Sequence, residues 1–548
     1  MDIRTTGGPA TADEVAAVDS VLGDPESLWE GGQRRPADDH IAYGGRAARS
    51  RRHMLLPVLH AVQDRTGWVS RGALEYACRR LSVPPAEAYG VVSFYARFSL
   101  DEARHEQRHV CDDVVCLVAG ANAGGQGSPC LGLCDRAPAT MVERFGESYE
   151  AAAEASVVEP APRAVVSLLR RVGVVDPGSL ESYRDHGGFT ALERARQAGG
   201  EEVIKRLTES RLLGRGGAAF PTGRKWESVA SAPAPRYLVC NADESEPGTF
   251  KDRVIMEHDP FAVVEGMAVA SFATGCEKGF IYIRTEYPTA RKRIEGAIAQ
   301  SRAAGLLDID IEVRRGAAAY ICGEETALFN SIEGKRGEPR NKPPFPVQVG
   351  LFGRPTLVNN VETLVDVLDV VTGDFKDTRI FCVSGCVARP GVYEVPMGTP
   401  LRSVLDQAGA RNIQAVLLGG AAGSFLTPAQ LDVPLSFEGT RAIGATLGSG
   451  AVIVLDDTVD VKQVLLRIAR FFRDESCGQC VPCRVGTKRQ EEVLERMLNT
   501  HNGAHRESDM TLLSDIAQAM RDASICGLGQ TAANAIASGL TQLKVLNG

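Results

Sequence analysis

Eight of the 14 cysteines fall into two groups of four, and this grouping constrains the fold more than any other feature of the sequence. The first group is Cys111, Cys116, Cys130 and Cys134, and the second is Cys477, Cys480, Cys483 and Cys526. The first residues lack the basic and apolar regions of a signal peptide, so we expect a cytoplasmic protein, in which thiols stay reduced. Grouped thiolates in that compartment indicate metal or iron–sulfur sites rather than a disulfide framework.

The second group begins in the run ESCGQCVPCRVG, and Cys526 follows farther along the chain. Three thiolates separated by two residues each can bind three different irons of one cubane cluster, and the fourth ligand then comes from elsewhere in the fold. Zinc more often takes its ligands as two separated C-x2-C pairs. We therefore predict a [4Fe–4S] cluster, with zinc as the alternative. The helical patterns around these cysteines predict that the cluster lies inside a helical bundle.

The first group consists of a C-x4-C pair followed by a C-x3-C pair. Two pairs of thiolates suit a [2Fe–2S] cluster, in which each pair binds one iron. Zinc also uses paired cysteines, so it stays an alternative on spacing alone. A second electron-transfer centre in the same chain favours the [2Fe–2S] interpretation.

The 548 residues predict several domains, and the fold class is α/β multidomain. Residues 51–100 have helical periodicity, and an Ala- and Pro-rich stretch after the first cysteine group resembles a linker. Over residues 180–370, helical patterns alternate with strand candidates such as RYLVCNA and GFIYIRT, which predicts a layered α/β domain. A small α+β insert over residues 378–455 and a set of C-terminal helices follow.

Charge and hydropathy exclude two classes of function. The chain has 61 Lys and Arg residues and 69 Asp and Glu residues, a net charge of −8, without a long run of either sign. That pattern gives no indication of nucleic-acid binding. No apolar stretch reaches the roughly 18 residues that a membrane-spanning helix needs.

A glycine-rich stretch and three polar segments suggest a cofactor site. In LLGRGGAAFPTGRKW, successive backbone N–H groups can form an anion-binding nest, although the G-x-G-x-x-G pattern is absent. The polar segments are NADESEPGTFKDR, YICGEETALFNSIEGKRGEPRNKPPFP and RPTLVNNVETL. Their Asn, Asp and Glu side chains can bond the ribityl hydroxyls of a flavin or the ribose of a nicotinamide nucleotide. Each segment alone fits a solvated loop, but four together favour the cofactor site.

These strings resemble a known family. From about residue 186 to the end, the chain is similar to the flavin-bearing, NADH-oxidising subunit of respiratory complex I and to its relatives in NAD-reducing hydrogenases and NAD-dependent formate dehydrogenases. Residues 45–145 resemble the partner subunit of the same enzymes, which is a helical segment plus a thioredoxin-like [2Fe–2S] domain. The two subunits are fused in this chain.

The resemblance implies roles for individual residues. An FMN site would use Gly214, Arg215, Gly216, Gly217, Lys225, Asn241, Asp243, Glu244, Tyr320, Gly323, Glu324, Asn359, Asn360 and Thr363. NAD(H) would stack over the flavin against Phe220 and Phe345, with Glu246, Glu325 and Lys342 at its polar groups. Glu246 and Glu325 would orient the two nucleotides rather than transfer protons. The two cysteine groups would hold the [4Fe–4S] and [2Fe–2S] clusters, the latter off the main line from FMN to the former.

The resemblance also implies domain boundaries. We expect, in order, a loosely ordered leader over 1–42, a helical and thioredoxin-like [2Fe–2S] domain over 43–148, a linker over 149–180, a Rossmann-like FMN and NAD domain over 181–372, a small ubiquitin-like (β-grasp-like) domain over 373–457, and a helical bundle with the [4Fe–4S] cluster over 458–548.

The chain departs from the family pattern at two places. Ala219 and Ala318 stand where the family usually has glycine, so the backbone there is expected to approach the cofactor less closely. The stretch between the two N-terminal cysteine pairs is much shorter than in the family. That loss bears on the completeness of the thioredoxin-like domain.

The resemblance leaves the partner open. Fusion of the two subunits is more typical of soluble NAD-linked enzymes than of complex I. It favours a formate dehydrogenase with a molybdenum or tungsten subunit, then an NAD-reducing [NiFe] hydrogenase, then complex I. The alternative from another class is an electron-relay subunit that keeps its clusters but has lost flavin, and only Ala219 and Ala318 favour it.

Overall fold

The computed structural model describes residues 8–30, 32–33, 49–102, 105–121, 126–154, 167–499, 506–543 and 545. Over these ranges, no helix is both long enough and apolar enough to cross a bilayer.

The described N-terminal residues include the helices α1 (Ala12–Leu22), α2 (Leu55–Thr66), α3 (Arg71–Leu81) and α4 (Pro85–Val92). The expectation of a loosely ordered leader is wrong for α1. A capping box starts this helix, because the Thr11 hydroxyl accepts from the Glu14 N–H and the Glu14 carboxylate accepts from the Thr11 N–H. Buried Val18 and Leu22 then anchor it. Residues 1–7 and 34–42 of the predicted leader lie outside the described residues.

The first cysteine group belongs to a small sheet. Its elements are β1 (Glu106–Cys111), α5 (Val114–Val118), β2 (Gln126–Ser128), β3 (Thr140–Arg144) and β4 (Glu150–Glu154). The strand order is β2-β1-β3-β4, with β1 parallel to β2 and the other pairs antiparallel. Strand β4 therefore begins inside the segment predicted as a linker.

The end of the predicted linker is anchored rather than free. The Ser167, Leu168 and Leu169 N–H groups donate to the buried Glu394 carboxylate at 3.0–3.1 Å. Residues 155–166, between β4 and this anchor, lie outside the described residues.

A four-stranded parallel sheet with helices follows, here called the parallel-sheet domain. Its helices are α6 (Leu180–Asp185), α7 (Thr190–Ala198), α8 (Gly200–Ser210), α9 (Thr222–Ala230), α10 (Lys251–His258), α11 (Pro260–Thr274), α12 (Pro288–Ala303), α13 (Glu325–Ile332) and α14 (Val361–Thr372). Its strands are β5 (Tyr237–Ala242), β6 (Lys278–Ile283), β7 (Asp310–Arg315) and β8 (Thr356–Asn360). The two strand candidates RYLVCNA and GFIYIRT form β5 and β6. Helix α11 is apolar around its circumference and almost wholly buried, as that pattern requires.

The strand order β7-β6-β5-β8 places a topological switch point between β5 and β8. The chain adds β6 and β7 on one side of β5, and then returns to add β8 on the other side. In open parallel sheets, the crevice outside the carboxyl ends of the strands at such a point is where ligands bind. Here Asn241, near the end of β5, pairs with Asn360, which ends β8.

The small domain that follows has a mixed five-stranded sheet with the order β10-β9-β13-β11-β12. Its elements are β9 (Thr378–Gly385), β10 (Gly391–Pro396), α15 (Leu401–Ala408), β11 (Ile413–Leu418), β12 (Ser424–Leu426), α16 (Phe437–Ala442) and β13 (Ala451–Asp456). Only β9 and β13 pair in parallel.

The last part of the chain is helical: α17 (Val461–Asp474), α18 (Val481–Asn499), α19 (Arg506–Ala523), α20 (Gly527–Thr531) and α21 (Asn534–Gln542). Helix α17 begins at an Asp460 cap, whose carboxylate accepts from the Lys462 N–H at 2.9 Å. The second cysteine group lies just before α18, in its first turn and just before α20.

Candidate functional site

Three asparagines near the carboxyl ends of β5 and β8, where the crevice is expected, have side chains that are fixed by hydrogen bonds. The Asn241 amide donates to the Gly323 carbonyl at 2.9 Å, which holds the turn before α13 against the end of β5. The side-chain amide oxygen of Asn359 accepts from the Trp226 indole N–H at 3.1 Å. Asn360 caps α14 through the Glu362 N–H, and its amide donates to Asp252 at 2.6 Å. Elements far apart in sequence thus meet at one edge of the sheet.

The glycine-rich loop, residues 214–217, lies between α8 and α9 and borders this crevice. Its start is held by the Gly214 N–H, which donates to the Phe220 carbonyl at 2.9 Å. A Cβ at Gly216 would lie 3.3 Å from the Asn360 Cβ, so the loop approaches the end of β8 closely. Gly217 has a φ of +109°, which L-residues rarely adopt. The glycines therefore serve close approach and an unusual backbone path.

Arg215 contributes its backbone rather than its charge to this edge. Its side chain is buried and donates to Asp366 at 3.1 Å, to Asp377 at 3.0 Å and to the Thr378 carbonyl at 3.0 Å. Its N–H donates to the Thr363 hydroxyl at 2.9 Å. The guanidinium thus ties the parallel-sheet domain to the small domain.

Ala219 and Ala318 adopt φ values of +52° and +59°, in the left-handed region that favours glycine. These are the positions where the resemblance expects glycine. The backbone therefore keeps a glycine-like path at both alanines, and the conformational cost is borne by the alanines.

Lys225 and Phe220 stand on the same side of the glycine-rich loop. The Lys225 ammonium donates to the Val358 carbonyl at 3.1 Å and lies 5.8 Å from the centre of the Phe220 ring. Burial lowers the pKa of Lys225 below its usual value. Phe220 is 48% exposed, so its ring faces open space at the rim.

The acidic segment after β5 carries less charge than its sequence suggests. Burial raises the pKa of Asp243 to about 8, so this carboxyl is protonated at neutral pH. Its Oδ2 atom is buried and has no hydrogen-bond partner within the described part of the chain. Burial and the neighbouring Asp252 raise the pKa of Glu244 to about 7, and its carboxylate accepts the Asp252 and Arg253 N–H groups at the start of α10.

Glu246 and Tyr320 form a half-buried contact close to the small domain. The Tyr320 hydroxyl donates to the Glu246 carboxylate at 2.6 Å, and the Ala422 N–H of the small domain donates to it at 2.8 Å. Burial raises the pKa of Glu246 to about 7. The Tyr320 N–H donates to Glu475 at 2.9 Å, which connects this contact to the segment before Cys477.

The outer rim contains Lys342, Glu325 and Phe345, which were predicted for the nicotinamide nucleotide, and Glu324, which was predicted for FMN. The Lys342 ammonium donates to Glu324 at 2.8 Å and to Glu325 at 2.9 Å. Burial alone would lower the pKa of Lys342, but Glu325 and Glu324 raise it above its usual value. Glu324 also caps α13 through the Thr326 and Ala327 N–H groups. Phe345 is 51% exposed at this rim.

The crevice fits a flavin nucleotide on three observations. In the glycine-rich loop the Gly214 and Arg215 N–H groups are committed to Phe220 and Thr363, so Gly216 and Gly217, together with Lys225, are the groups that suit a phosphate. The protonated Asp243 offers an unused donor, and Gly323 lies beside it, where a Cβ would come within 3.7 Å of the Asp243 Oδ2 atom. Exposed aromatic rings at the rim can stack on a second nucleotide. None of these groups is a nucleophile placed for covalent catalysis.

The second cysteine group lines one small cavity. Its walls comprise Cys477, Cys480, Cys483, Cys526, Ser476, Gln479, Ile321, Pro339, Ile525 and Leu528. The prediction that the site lies inside the helical bundle is wrong, because Ile321 and Pro339 belong to the parallel-sheet domain. The cavity lies at the boundary between that domain and the C-terminal helices. Its mostly apolar lining fits a cluster that is shielded from water.

The first cysteine group is buried and convergent. Cys111 ends β1, Cys116 lies on α5, and Cys130 and Cys134 follow β2. All four side chains are buried, and the Cys130 and Cys134 sulfurs are 3.6 Å apart. This paired arrangement fits a binuclear cluster. Across the described residues, no group of three or more His, Cys, Asp or Glu side chains is placed to hold a single metal ion.

Sequence reasoning missed three residues of the quoted motifs that fix the side chains of the site. Trp226, Asp252 and Glu475 hold Asn359, Asn360 and Tyr320 respectively. Trp226 stands in the glycine-rich string and Glu475 stands two residues before Cys477, so their neighbourhood was visible. The sequence alone does not identify the residues that they contact, because each of those residues lies more than 100 positions away.

Four family models match the chain. They are the Nuo51 FMN-binding domain over residues 207–369, the NADH-ubiquinone oxidoreductase-F iron-sulfur binding region over 463–544, the thioredoxin-like [2Fe-2S] ferredoxin over 42–127 and the SLBB domain over 380–421. They confirm the predictions of FMN, of a [4Fe–4S] and a [2Fe–2S] cluster, and of NADH as substrate. The ferredoxin match ends before Cys130 and Cys134.

Similar proteins agree with these domains. The F-type subunit of the NADH-quinone oxidoreductase of Aquifex aeolicus is 43% identical over 67% of this chain and 90% of its own length. The NADP-reducing hydrogenase subunit HndC of Solidesulfovibrio fructosivorans is 40% identical over 67% of this chain and 80% of its own length. In the crystal structure of an NAD+-reducing [NiFe]-hydrogenase in the air-oxidized state, one chain is 32% identical and has a TM-score of 0.77. That match covers 90% of this chain and 93% of the hydrogenase chain.

Replacing Ala219 by glycine is expected to raise the free energy of unfolding by about 0.5 kcal/mol. An L-residue in the left-handed region destabilises the native state by about 1–2 kcal/mol, and glycine removes this cost. Glycine also gives the unfolded chain more conformational entropy, which lowers the free energy of unfolding by about 0.4–1 kcal/mol. Urea unfolding of the two proteins measures the difference. Ala299→Gly, at an exposed position in the interior of α12, is the control and should destabilise the chain. A lower midpoint for Ala219→Gly would show that the methyl group stabilises more than the strain costs.

Asp243→Asn is expected to remove a pH dependence of FMN binding. The native pKa of about 8 lies above the ordinary value of 3.8, so the native state keeps a proton that the unfolded state loses. The contribution of Asp243 to the free energy of unfolding therefore falls as the pH rises from about 4 to about 8. Above about pH 8 the Asp243 carboxylate carries an unpaired negative charge, which weakens binding of the anionic FMN. FMN dissociation constants between about pH 7 and about pH 9 test this. If the Asp243→Asn variant shows the same pH dependence of FMN binding, another group is responsible for that dependence.

Proposed function

Because the chain belongs to the family of the F-type NADH-quinone oxidoreductase subunits, the NADH-oxidising flavin subunits of multi-subunit oxidoreductases, we propose that it is the diaphorase subunit of a soluble NAD-linked complex. In this role it exchanges hydride between NAD(H) and FMN, and exchanges single electrons with its two clusters. The proposed site residues are those that the resemblance implies, with Arg215 acting through its backbone.

One turn of the chain carries this proposal. The 3-10 turn Tyr320–Gly323 contributes to the flavin crevice and to the cluster cavity at once. The Tyr320 hydroxyl contacts Glu246 and the Gly323 carbonyl contacts Asn241, whereas Ile321 lines the cavity of the second cysteine group. The two sites therefore adjoin through a single rigid element, as electron transfer between them requires.

The side chains of this site bind the two nucleotides and orient them. When bound, FMN supplies the chemistry that takes up a hydride and releases electrons one at a time. Phe220 and Phe345 offer flat faces at the rim, where a nicotinamide ring can stack. Glu325, held by Lys342, is placed for the polar groups of the nucleotide, and Glu246 closes the inner wall.

The competing proposal is a relay subunit without flavin. Its basis was the alanine at positions 219 and 318, and both alanines keep a glycine-like backbone path. Asp243 with its unused buried oxygen also favours an occupied crevice. Flavin absorbance of the purified chain separates the two functions directly.

We predict that the isolated chain reduces ferricyanide with NADH. The crevice, the rim aromatics and the adjoining cluster cavity all lie within this one chain, so no partner is needed for this half of the reaction. The measurement is NADH oxidation at 340 nm, the ordinary absorbance of the reduced nicotinamide. A flavin-loaded preparation without activity would contradict the proposed function.

Glu325→Ala and Phe345→Ala are each expected to raise KM for NADH about tenfold, while FMN content stays near normal. Both residues stand at the outer rim, away from the glycine-rich loop. Val349→Ala is the matched control, because Val349 is a nearby exposed apolar residue that is not assigned to the site. Loss of FMN with unchanged affinity in the loaded fraction would place both residues at the flavin instead.

For the partner, we propose a formate dehydrogenase subunit with molybdenum or tungsten and further iron–sulfur clusters, and a cytoplasmic location. This choice rests on the motif resemblance and on the fusion of the two units. An NAD-reducing hydrogenase is the second candidate, favoured by the match over 90% of this chain to one hydrogenase chain, and complex I is the third. Formate- or H2-dependent NAD+ reduction by the native complex decides between the first two.

The domain boundaries are proposed as predicted, with three changes: helix α1 joins the N-terminal helical unit, strand β4 joins the sheet of the first cysteine group, and the [4Fe–4S] site lies at the boundary of the helical bundle. The parallel sheet of β5–β8 supports a Rossmann-like flavin domain, and the mixed sheet around α15 supports a ubiquitin-like small domain.

A further inference from the structure

The second pair of [2Fe–2S] cysteines lies in a loop, residues 130–134, that is held by the parallel-sheet domain. Arg284, just after β6, is 2% exposed and donates to the Cys130 carbonyl. The same guanidinium donates to the Glu244 carbonyl at 2.5 Å and to the Glu286 carboxylate at 2.9 Å. One buried side chain therefore joins this cysteine loop to the acidic segment of the flavin crevice.

A second buried arginine grips the other end of the cysteine loop. Arg253 on α10 donates to the Gly132 carbonyl at 3.1 Å and to the Asp135 carboxylate at 2.6 Å. Gly132 has a φ of +66°, and a Cβ there would overlap the Tyr287 ring. The cysteine loop is thus shaped to fit the surface formed by Arg253, Arg284 and Tyr287.

The sheet that carries the first cysteine pair provides little support of its own. Strand β2 has three residues and helix α5 has five. Their outer side is held by the C-terminal helices, because Arg467 on α17 donates to the Asp112 carbonyl at 3.2 Å. Both halves of the cluster site therefore rest on other domains.

We propose that Arg284 and Arg253 are positioning residues that hold the Cys130–Cys134 pair, so that retention and potential of the [2Fe–2S] cluster depend on the parallel-sheet domain. In this chain, whose N-terminal cysteine stretch is short, the flavin domain supplies the scaffold for half of the cluster. The inference rests on the cluster assignment and not on the identity of the partner complex.

The charge of Arg284 has an electronic consequence. A reduced cluster carries one more negative charge than the oxidised cluster, and a buried cation beside it favours the reduced form. Removal of this cation leaves the 5% exposed Glu286 side chain without its ion pair, which adds to the effect. Arg284→Gln should therefore lower the midpoint potential of the binuclear centre, and Arg284→Lys should lower it less.

The test compares full-length variants by EPR, as the ratio of binuclear to tetranuclear spins and as the binuclear midpoint potential. Loss of an outer-shell partner commonly costs about 10–100-fold in metal affinity, so Arg284→Gln and Arg253→Gln should each lower the spin ratio about twofold or more. Cys134→Ser is the positive control and should remove the binuclear signal. Total iron and FMN content complete the measurement.

Arg314→Gln is the matched negative control. Arg314 is also a buried arginine of the parallel-sheet domain, and it donates to the His53 carbonyl of the N-terminal segment at 3.0 Å, away from the cysteine loop. It should leave the binuclear spin ratio and potential unchanged. An equal loss in Arg314→Gln would reduce the effect to general destabilisation and overturn the proposal.

Asp135→Asn keeps the test decisive if the Arg284 variants fail to fold. It weakens the Arg253 contact from the loop side, where Asp135 is partly exposed, and should lower the same ratio. Unchanged ratio and potential in Asp135→Asn and in every soluble Arg284 or Arg253 variant would overturn the proposal. A wild-type chain that oxidises NADH but has no binuclear signal would also overturn it, and would leave the proposed function standing.

Discussion

The reversal of strand order between β5 and β8 is the constraint on which the rest of the site depends. It leaves the carboxyl ends of two adjacent strands uncovered, and Asn241 and Asn360 stand there in register. A buried ionic network secures this edge: the Lys251 ammonium lies 2.7 Å from Asp252 and 2.9 Å from Glu362. Since Asp252 also accepts from Asn360, displacement of either α10 or α14 would move the Asn360 side chain. Breaking a buried network of this kind typically costs about 3–5 kcal/mol.

Electrostatics then decides what the crevice can accept. The segment from Asp243 to Glu246 has three carboxyl groups, which alone would repel two anionic nucleotides. Burial raises their pKa values to about 8, 7 and 7, so much of that charge is absent at neutral pH. A neutral Asp243 can donate a hydrogen bond, which an ionised carboxylate cannot. Burial of these three carboxyl groups lowers the free energy of unfolding at pH values above their pKa values. The same burial makes the site suitable for the phosphate of FMN and the pyrophosphate of NAD(H).

The sequence predicted the local features well and the long-range contacts poorly. Apolar runs identified β5 and β6, and C-x2-C-x2-C spacing identified the cysteines that share a cavity, because both signals lie within a few residues. Composition misled at the N-terminus, where the Thr11–Glu14 capping box outweighs the Gly and Pro nearby. The guanidinium of Arg215 could not be assigned from its motif, since its partners Asp366 and Asp377 lie about 150 residues away in another layer of the fold.

The two cluster sites differ in how they are attached to the flavin crevice. The second cysteine group adjoins the crevice through the turn Tyr320–Gly323, because Ile321 of this turn lines the cavity of the four cysteines. The first group adjoins it through side-chain hydrogen bonds, chiefly that of Arg284, from a loop in another domain. A break in those bonds can release the binuclear site while the turn and the crevice keep their structure. The two attachments agree with the proposal that the tetranuclear site lies on the main electron path and the binuclear site on a branch.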